Sequence, residues 1–191
     1  MDRWSATIIL ATARRIQTPY PINCPRRALH RMPDVALSSL ARALGRVPSG
    51  LYIVTTRRAG EPVGFLGSFV VQVGLEPPTV CVAVGKDRPH LADIRAARGF
   101  ALSVLDAASR ALMAGFLKKP APGRTAFDGL RVEAAPSGAP VLADALAWLD
   151  CRLAGEHALA DHVVLFGEVV AGALLREGEP HAHVRKNGLS Y

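Results

Sequence analysis

Few stretches of this 191-residue chain carry residues whose types and spacing could do chemistry. Lys86-Asp87-Arg88-Pro89-His90 sets two cations just ahead of an apolar helical run. Backbone N–H groups at a helix start, joined by Lys86 and Arg88, form a natural phosphate cradle. Taken on residue types alone, a solvated turn is the simpler reading, because exposed charges gain little from their neighbours. Leu66-Gly67-Ser68-Phe69 joins a glycine, where backbone can approach a ligand closely, to a serine hydroxyl. By pattern alone the same segment is a strand alternating across a barrel wall. His162 follows Asp161 at the start of another apolar stretch. A histidine at a strand end reads first as a surface residue, with proton or ligand chemistry as the alternative.

Other chemistries find less support. His181 and His183 share one face of an extended chain, but no third ligand stands at a fixed spacing, so no metal site is assigned and both read as strand surface. His157 and His162 fail the same test. Asp150, Glu156 and Glu168 sit in apolar strand contexts that support no glycosidase or protease pairing, and Ser49 and Ser68 lack a GxSxG setting. Cys24, Cys81 and Cys151 are odd in number and widely spaced, which suits buried free thiols in a reducing cytoplasm.

The elements that must position these residues are mostly strands. Asp34 is placed to cap a helix from Val35 to Leu44, closed by Gly45. Strands are expected at Leu51–Thr56, Val63–Val73 and Thr79–Val84, the last two parted by a corner at Pro77-Pro78, since proline lacks the ladder N–H. Asp87 should cap a short helix running to about Ala97, and Asp106 another running to Lys118, on either side of a strand at Phe100–Leu105. A Pro-, Gly- and Lys-rich loop follows, then strands at Leu130–Ala134, Leu146–Glu156, His162–Leu174 and His181–Val184. This order has no regular βαβ alternation and no GxGxxG between strand and helix, which disfavours a Rossmann domain and favours a mostly antiparallel barrel.

Bulk properties narrow the partners. Half the residues are apolar, and no apolar run is long enough to span a bilayer, so no membrane partner is expected. The stretch Thr7–Leu10 makes a poor signal peptide beside Asp2 and Arg3, and secretion is disfavoured. Of the net charge of +7, +5 lies in residues 1–31, whose six arginines face Asp2 alone. Residues 1–32 therefore read as a basic, disordered extension ahead of one domain at 33–191. The near-neutral body, with no aromatic-basic stripe, argues against nucleic-acid binding.

Seven stretches in order carry a family resemblance. The stretch Val63-Gly64-Phe65-Leu66-Gly67-Ser68-Phe69 through Pro77-Pro78-Thr79-Val80 resembles the signature of the flavin reductase family. The match continues through Val82–Arg88, Gly99–Leu105, Phe127-Asp128-Gly129, Gly138–Leu142, Ala145–Cys151 and Asp161–Val169, covering roughly residues 36–191. That family includes the reductase components of two-component monooxygenases, ferric reductases and C-terminal modules of some flavodiiron proteins.

The resemblance implies an antiparallel FMN-binding split β-barrel with a few short peripheral helices, forming a cytoplasmic homodimer. It implies FMN as cofactor, NAD(P)H as co-substrate, and a monooxygenase or ferric iron as acceptor. The runner-up is an FMN-binding electron carrier reduced by a partner protein. It places Leu66, Gly67, Ser68 and Phe69 along the flavin ring, and Val84, Gly85, Lys86 and Arg88 at the turn holding the phosphate. It sets His162 near the nicotinamide and the ring, where it aligns the reactants. This chain departs from the commonest pattern, which has threonine at position 66 and hydroxyl residues from 69 to 72. Ser68, Phe69 and Gln72 instead echo a variant reading Ser-Trp followed by Gln. At the phosphate turn, charge stands where the family usually has hydroxyls.

Overall fold

The computed structural model of the chain describes residues 39–118, 120–186 and 188–189. The expected helix start at Val35, its Asp34 cap and the basic segment 1–32 lie outside those residues. A short helix α1 (Ser39–Leu44) leads into strands β1 (Tyr52–Arg58), β2 (Glu61–Gly67), β3 (Val70–Leu75) and β4 (Pro78–Gly85). Helix α2 (His90–Ala97) precedes β5 (Gly99–Val104), and a 3-10 turn at Ala108–Met113 runs into α3 (Ala114–Leu117). Two short strands, β6 (Val132–Ala134) and β7 (Pro140–Leu142), come before the long hairpin of β8 (Ala147–Leu159) and β9 (His162–Leu174). No helix among the described residues is long and apolar enough to cross a membrane.

Seven strands form one antiparallel sheet in the order β2-β1-β5-β8-β9-β4-β3. Its two edges, β2 and β3, are joined in sequence by only Ser68 and Phe69. A flat seven-stranded sheet would hold its edges about 28 Å apart. The three peptide units from Gly67 to Val70 span at most about 11 Å. The sheet must therefore curl until its edges meet, and the meeting point is the Ser68-Phe69 step. This is the mostly β, antiparallel barrel with few short helices that the sequence implied.

Alternation fills the interior. Val80, Val82 and Val84 of β4 face inward with Val163 and Leu165 of β9, Val54 of β1 and the fully buried Phe100 and Leu102 of β5. A Cβ at Gly167 would stand 2.5 Å from the Phe100 ring, so β9 needs glycine there to admit the aromatic. Leu91 and Ile94, three apart on α2, pack into the same cluster. Because β1 is buried on both faces, Leu51 and Ile53 instead join a second cluster under the 3-10 turn, with Leu105, Leu112, Phe127 and Leu142.

Five local expectations need correction. The strand expected at Val63–Val73 breaks at Ser68-Phe69, because no single strand can occupy both edges of one sheet. His181–Val184 is not a ladder strand; it is an extended strap with isolated bridges at Ser49–His183 and Asp106–Pro180. Strand β7, pairing with β6, was not expected. Asp87 does not cap α2: the N-cap is Pro89, with no side-chain hydrogen bond. Asp106 likewise is not the N-cap: it stands one residue ahead of Ala107, which is, though its Oδ1 accepts from both the Ser109 backbone N–H and Oγ at 2.7 Å.

Candidate functional site

The sheet's meeting edges gather most of the residues singled out by sequence. Ser68 is 5% exposed, and its Oγ is buried with no hydrogen-bond partner. It lies on a cavity of about 320 Å³ whose walls are apolar at Leu51, Leu66, Met113 and Leu117 and polar at Ser68, His181 and His183. A buried hydroxyl left unsatisfied costs about 1–3 kcal/mol, so it is an arrangement that a ligand group would relieve. Gly67 is close-packed on one side. A Cβ there would sit 2.9 Å from Val54 Cγ2.

Phe69 does not line that cavity. Its ring meets the His162 imidazole edge-on at 5.7 Å between centroids, and the Arg185 guanidinium lies over it at 4.6 Å. The Phe69 carbonyl accepts from the Ala83 N–H at 2.9 Å, fixing the step against β4. His162 opens β9 directly opposite Gly85, the last residue of β4. Its Nδ1 lies 2.9 Å from Asp161 Oδ1, and that hydrogen bond holds the Asp161 carboxyl below its usual range. With Nδ1 engaged, Nε2 is the ring nitrogen left for a ligand.

The turn after β4 differs from the expected phosphate cradle. Lys86 is bound into the β8–β9 turn: its N–H donates to the Asp161 carbonyl at 3.0 Å and its Nζ to the Ala160 carbonyl at 2.6 Å. The first-turn N–H groups of α2 at Leu91, Ala92 and Asp93 donate to the Arg88 and Pro89 carbonyls. Anion binding at this turn thus falls to the exposed Arg88 side chain and the remaining Lys86 donors. Gly85 is close-packed as well, since a Cβ there would lie 2.8 Å from Asp87 Oδ1. Val84 points its side chain into the core at 1% exposure, so only its backbone is available.

Phe69, Gly85, Lys86 and His162 are therefore neighbours, Leu66 and Ser68 share the adjoining cavity, and Arg88 stands on the turn beside them. The sequence reading takes His181 and His183 as strand surface and does not consider Arg185. All three lie on one face of the strap, half-buried, while Ala182 and Val184 between them are exposed. The i, i+2, i+4 spacing was visible, but it was tested only against metal binding. No group of three or more His, Cys, Asp or Glu able to hold a metal occurs among the described residues. Nor is there an activated thiol among them: burial raises the Cys81 thiol and pushes Cys151 up to about 12.

Comparison with known proteins follows the same lines. Residues 44–188 match the model of the flavin reductase like domain family. Diflavin flavoprotein A 1 of Synechocystis sp. is 36% identical over 156 residues, covering 81% of this chain and 27% of the relative. The chain thus spans about a quarter of the length of that relative. A homologue of nitrilotriacetate monooxygenase component B from Mycobacterium thermoresistibile superposes with a TM-score of 0.70 at 28% identity, covering 76% of this chain and 80% of that one. An NADH:FAD oxidoreductase of Streptomyces globisporus superposes with a TM-score of 0.69 at 31% identity, covering 75% and 86%.

Proposed function

The chain belongs to the flavin reductase-like family, and from that premise we propose that it is an oxidoreductase that binds FMN and passes electrons from NAD(P)H to an acceptor such as a monooxygenase partner or ferric iron. The observation that carries this reading is the unpartnered, buried Ser68 Oγ on a cavity with apolar walls, one residue from Phe69, whose ring meets His162. The two structural relatives, one named an NADH:FAD oxidoreductase and one a monooxygenase component, support both the flavin chemistry and a two-component arrangement.

Each residue has a definite part in this reading. Ser68 Oγ gives and accepts hydrogen bonds at the ring edge, while Leu66 with Leu51, Met113 and Leu117 keeps water from that slot. Gly67, Phe69, Val84 and Gly85 contribute backbone and shape. Arg88 and the free donors of Lys86 face the phosphate. When bound, a flavin would supply the redox chemistry between the reduced nicotinamide and the acceptor. His162, held by Asp161, orients the nicotinamide through Nε2, and this alignment is the protein's contribution to rate. Edge strand β3 exposes Val71, Val73 and Leu75, the last at 84%, a surface that a second copy of the chain would cover in a homodimer. Free thiols at Cys81 and Cys151 agree with a cytoplasmic setting.

A second reading, an FMN-binding electron carrier served by a partner protein, is favoured by the diflavin flavoprotein likeness. It is also favoured by the valines on β3 where hydroxyls are commoner. Anaerobic addition of NADH or NADPH to the protein with FMN separates the two. Bleaching of the oxidised flavin bands supports the reductase, whereas FMN binding without reduction moves the assignment to the carrier.

A further inference from the structure

Beside the flavin step lies a concentration of positive charge that a mononucleotide does not use. Neither residues 35–60 nor 180–191 contain an acidic residue. The fold brings these two stretches together. The Gly188 N–H donates to the Ala41 carbonyl at 2.9 Å, and Arg46 Nη2 to the Arg185 carbonyl at 3.4 Å, so the strap is tied to α1 and to the turn after it. Arg42 of α1 and Arg46 of the turn after it then share a surface hollow of about 570 Å³ with Lys186 and Ser39. No ion pair among the described residues involves Arg42, Arg46 or Lys186. Arg185 links this hollow to the flavin step, because its guanidinium lies over Phe69, whose ring meets His162, and its Nε is buried without a partner.

We propose that Arg42, Arg46 and Lys186 form a diphosphate-binding site that holds the adenosine-diphosphate half of a dinucleotide whose reactive ring lies at Phe69 and His162. The inference rests on the flavin reading and extends it. Lys86 and Arg88 suffice for one phosphate, so a separate cluster of three cations calls for a ligand with further phosphates. Guanidinium forks suit phosphate oxygens, and an acid-free hollow keeps the local field of one sign. The nicotinamide dinucleotide carries this group apart from the flavin's own phosphate, and its ring is the one that His162 orients.

The test titrates the full chain with ADP-ribose, which has the diphosphate and no redox ring, and separately with FMN, which has no diphosphate. Wild-type protein is expected to bind ADP-ribose with an affinity that falls steeply with salt. The double variant Arg42→Glu/Arg46→Glu is expected to bind ADP-ribose at least about tenfold more weakly, with FMN affinity changed by less than about twofold. Arg42→Gln/Arg46→Gln should fall between, which keeps the test readable if charge reversal disturbs α1. A raised KM for the nicotinamide dinucleotide with kcat unchanged supports the site, and an unchanged KM overturns it. No ADP-ribose binding by wild type, or equal binding by the variants, overturns it. Failure of the flavin reading is distinct, since it appears as absence of FMN binding whatever ADP-ribose does.

Discussion

Buried polar groups are treated differently on two sides of the sheet. On the β5–β8 flank all of them have partners. Asp106 is held by Ser109 and by both terminal nitrogens of Arg176. Asp150, fully buried, accepts from the Ser137 N–H at 2.8 Å and Oγ at 2.6 Å. Ser103 Oγ accepts from the Leu142 N–H at 3.0 Å, and Thr55 Oγ1 donates to the Pro140 carbonyl. At the β2–β3 step and its strap the reverse holds. Of the four buried side-chain polar atoms without a partner among the described residues, Ser49 Oγ, Ser68 Oγ and Arg185 Nε lie there. The fourth, His90 Nδ1, sits at the start of α2, with its ring against Phe65. Satisfied networks fix a fold, whereas unsatisfied ones mark where a fold leaves room for something else.

The contrast predicts where mutations act. The largest effect on stability belongs to the shared core. Phe100→Ala should cost about 3–5 kcal/mol in urea unfolding, because a fully buried ring that interlocks with Gly167 leaves a cavity. Next comes the satisfied flank. Arg176→Ala should lower the melting temperature by several degrees and leave flavin binding intact. The hydrogen bonds from Arg176 and Ser109 hold the Asp106 carboxyl far below its ordinary value of 3.8. Its folded pKa being depressed, the stabilisation is complete above the unfolded value and is lost as pH falls through the folded one. Acid melting curves of wild type should therefore decline below about pH 4, and Arg176→Ala should flatten that decline.

At the unsatisfied rim the order inverts. His162→Ala should leave the melting temperature nearly unchanged while slowing flavin reduction about tenfold, as expected for a residue that aligns reactants. In the same variant the Asp161 carboxyl should rise towards its ordinary value, which carbon-detected NMR titration would follow.

Much of the architecture was legible because strand signals are local. The long strand from His162 to Leu174 and the corner before Pro78 follow from apolar runs and proline chemistry alone. The Asp106–Ser109 contact was legible for the same reason, being local, whereas the pairing of Asp106 with Arg176 was not. The break at Ser68-Phe69 was not, since only closure of seven strands demands it. Pro89 displaced Asp87 as cap because the fixed proline geometry sets the helix start without a side-chain bond. Of the site, the Phe69–His162 neighbourhood could be anticipated only through family resemblance. The strap carrying His181, His183 and Arg185 could not, because its placement depends on backbone bonds to Ser49 and Leu105 far away in the chain.

The most direct test of the rim as the flavin site is paired measurement of melting temperature and FMN affinity for Ser68→Ala. Removing a buried hydroxyl that has no partner should leave the melting temperature within about a degree of wild type, or raise it. The same change should weaken FMN binding, read by flavin fluorescence, by roughly three- to tenfold, the worth of one hydrogen bond. A variant that melts well below wild type while keeping full FMN affinity would contradict the account, for Ser68 would then belong with the satisfied flank.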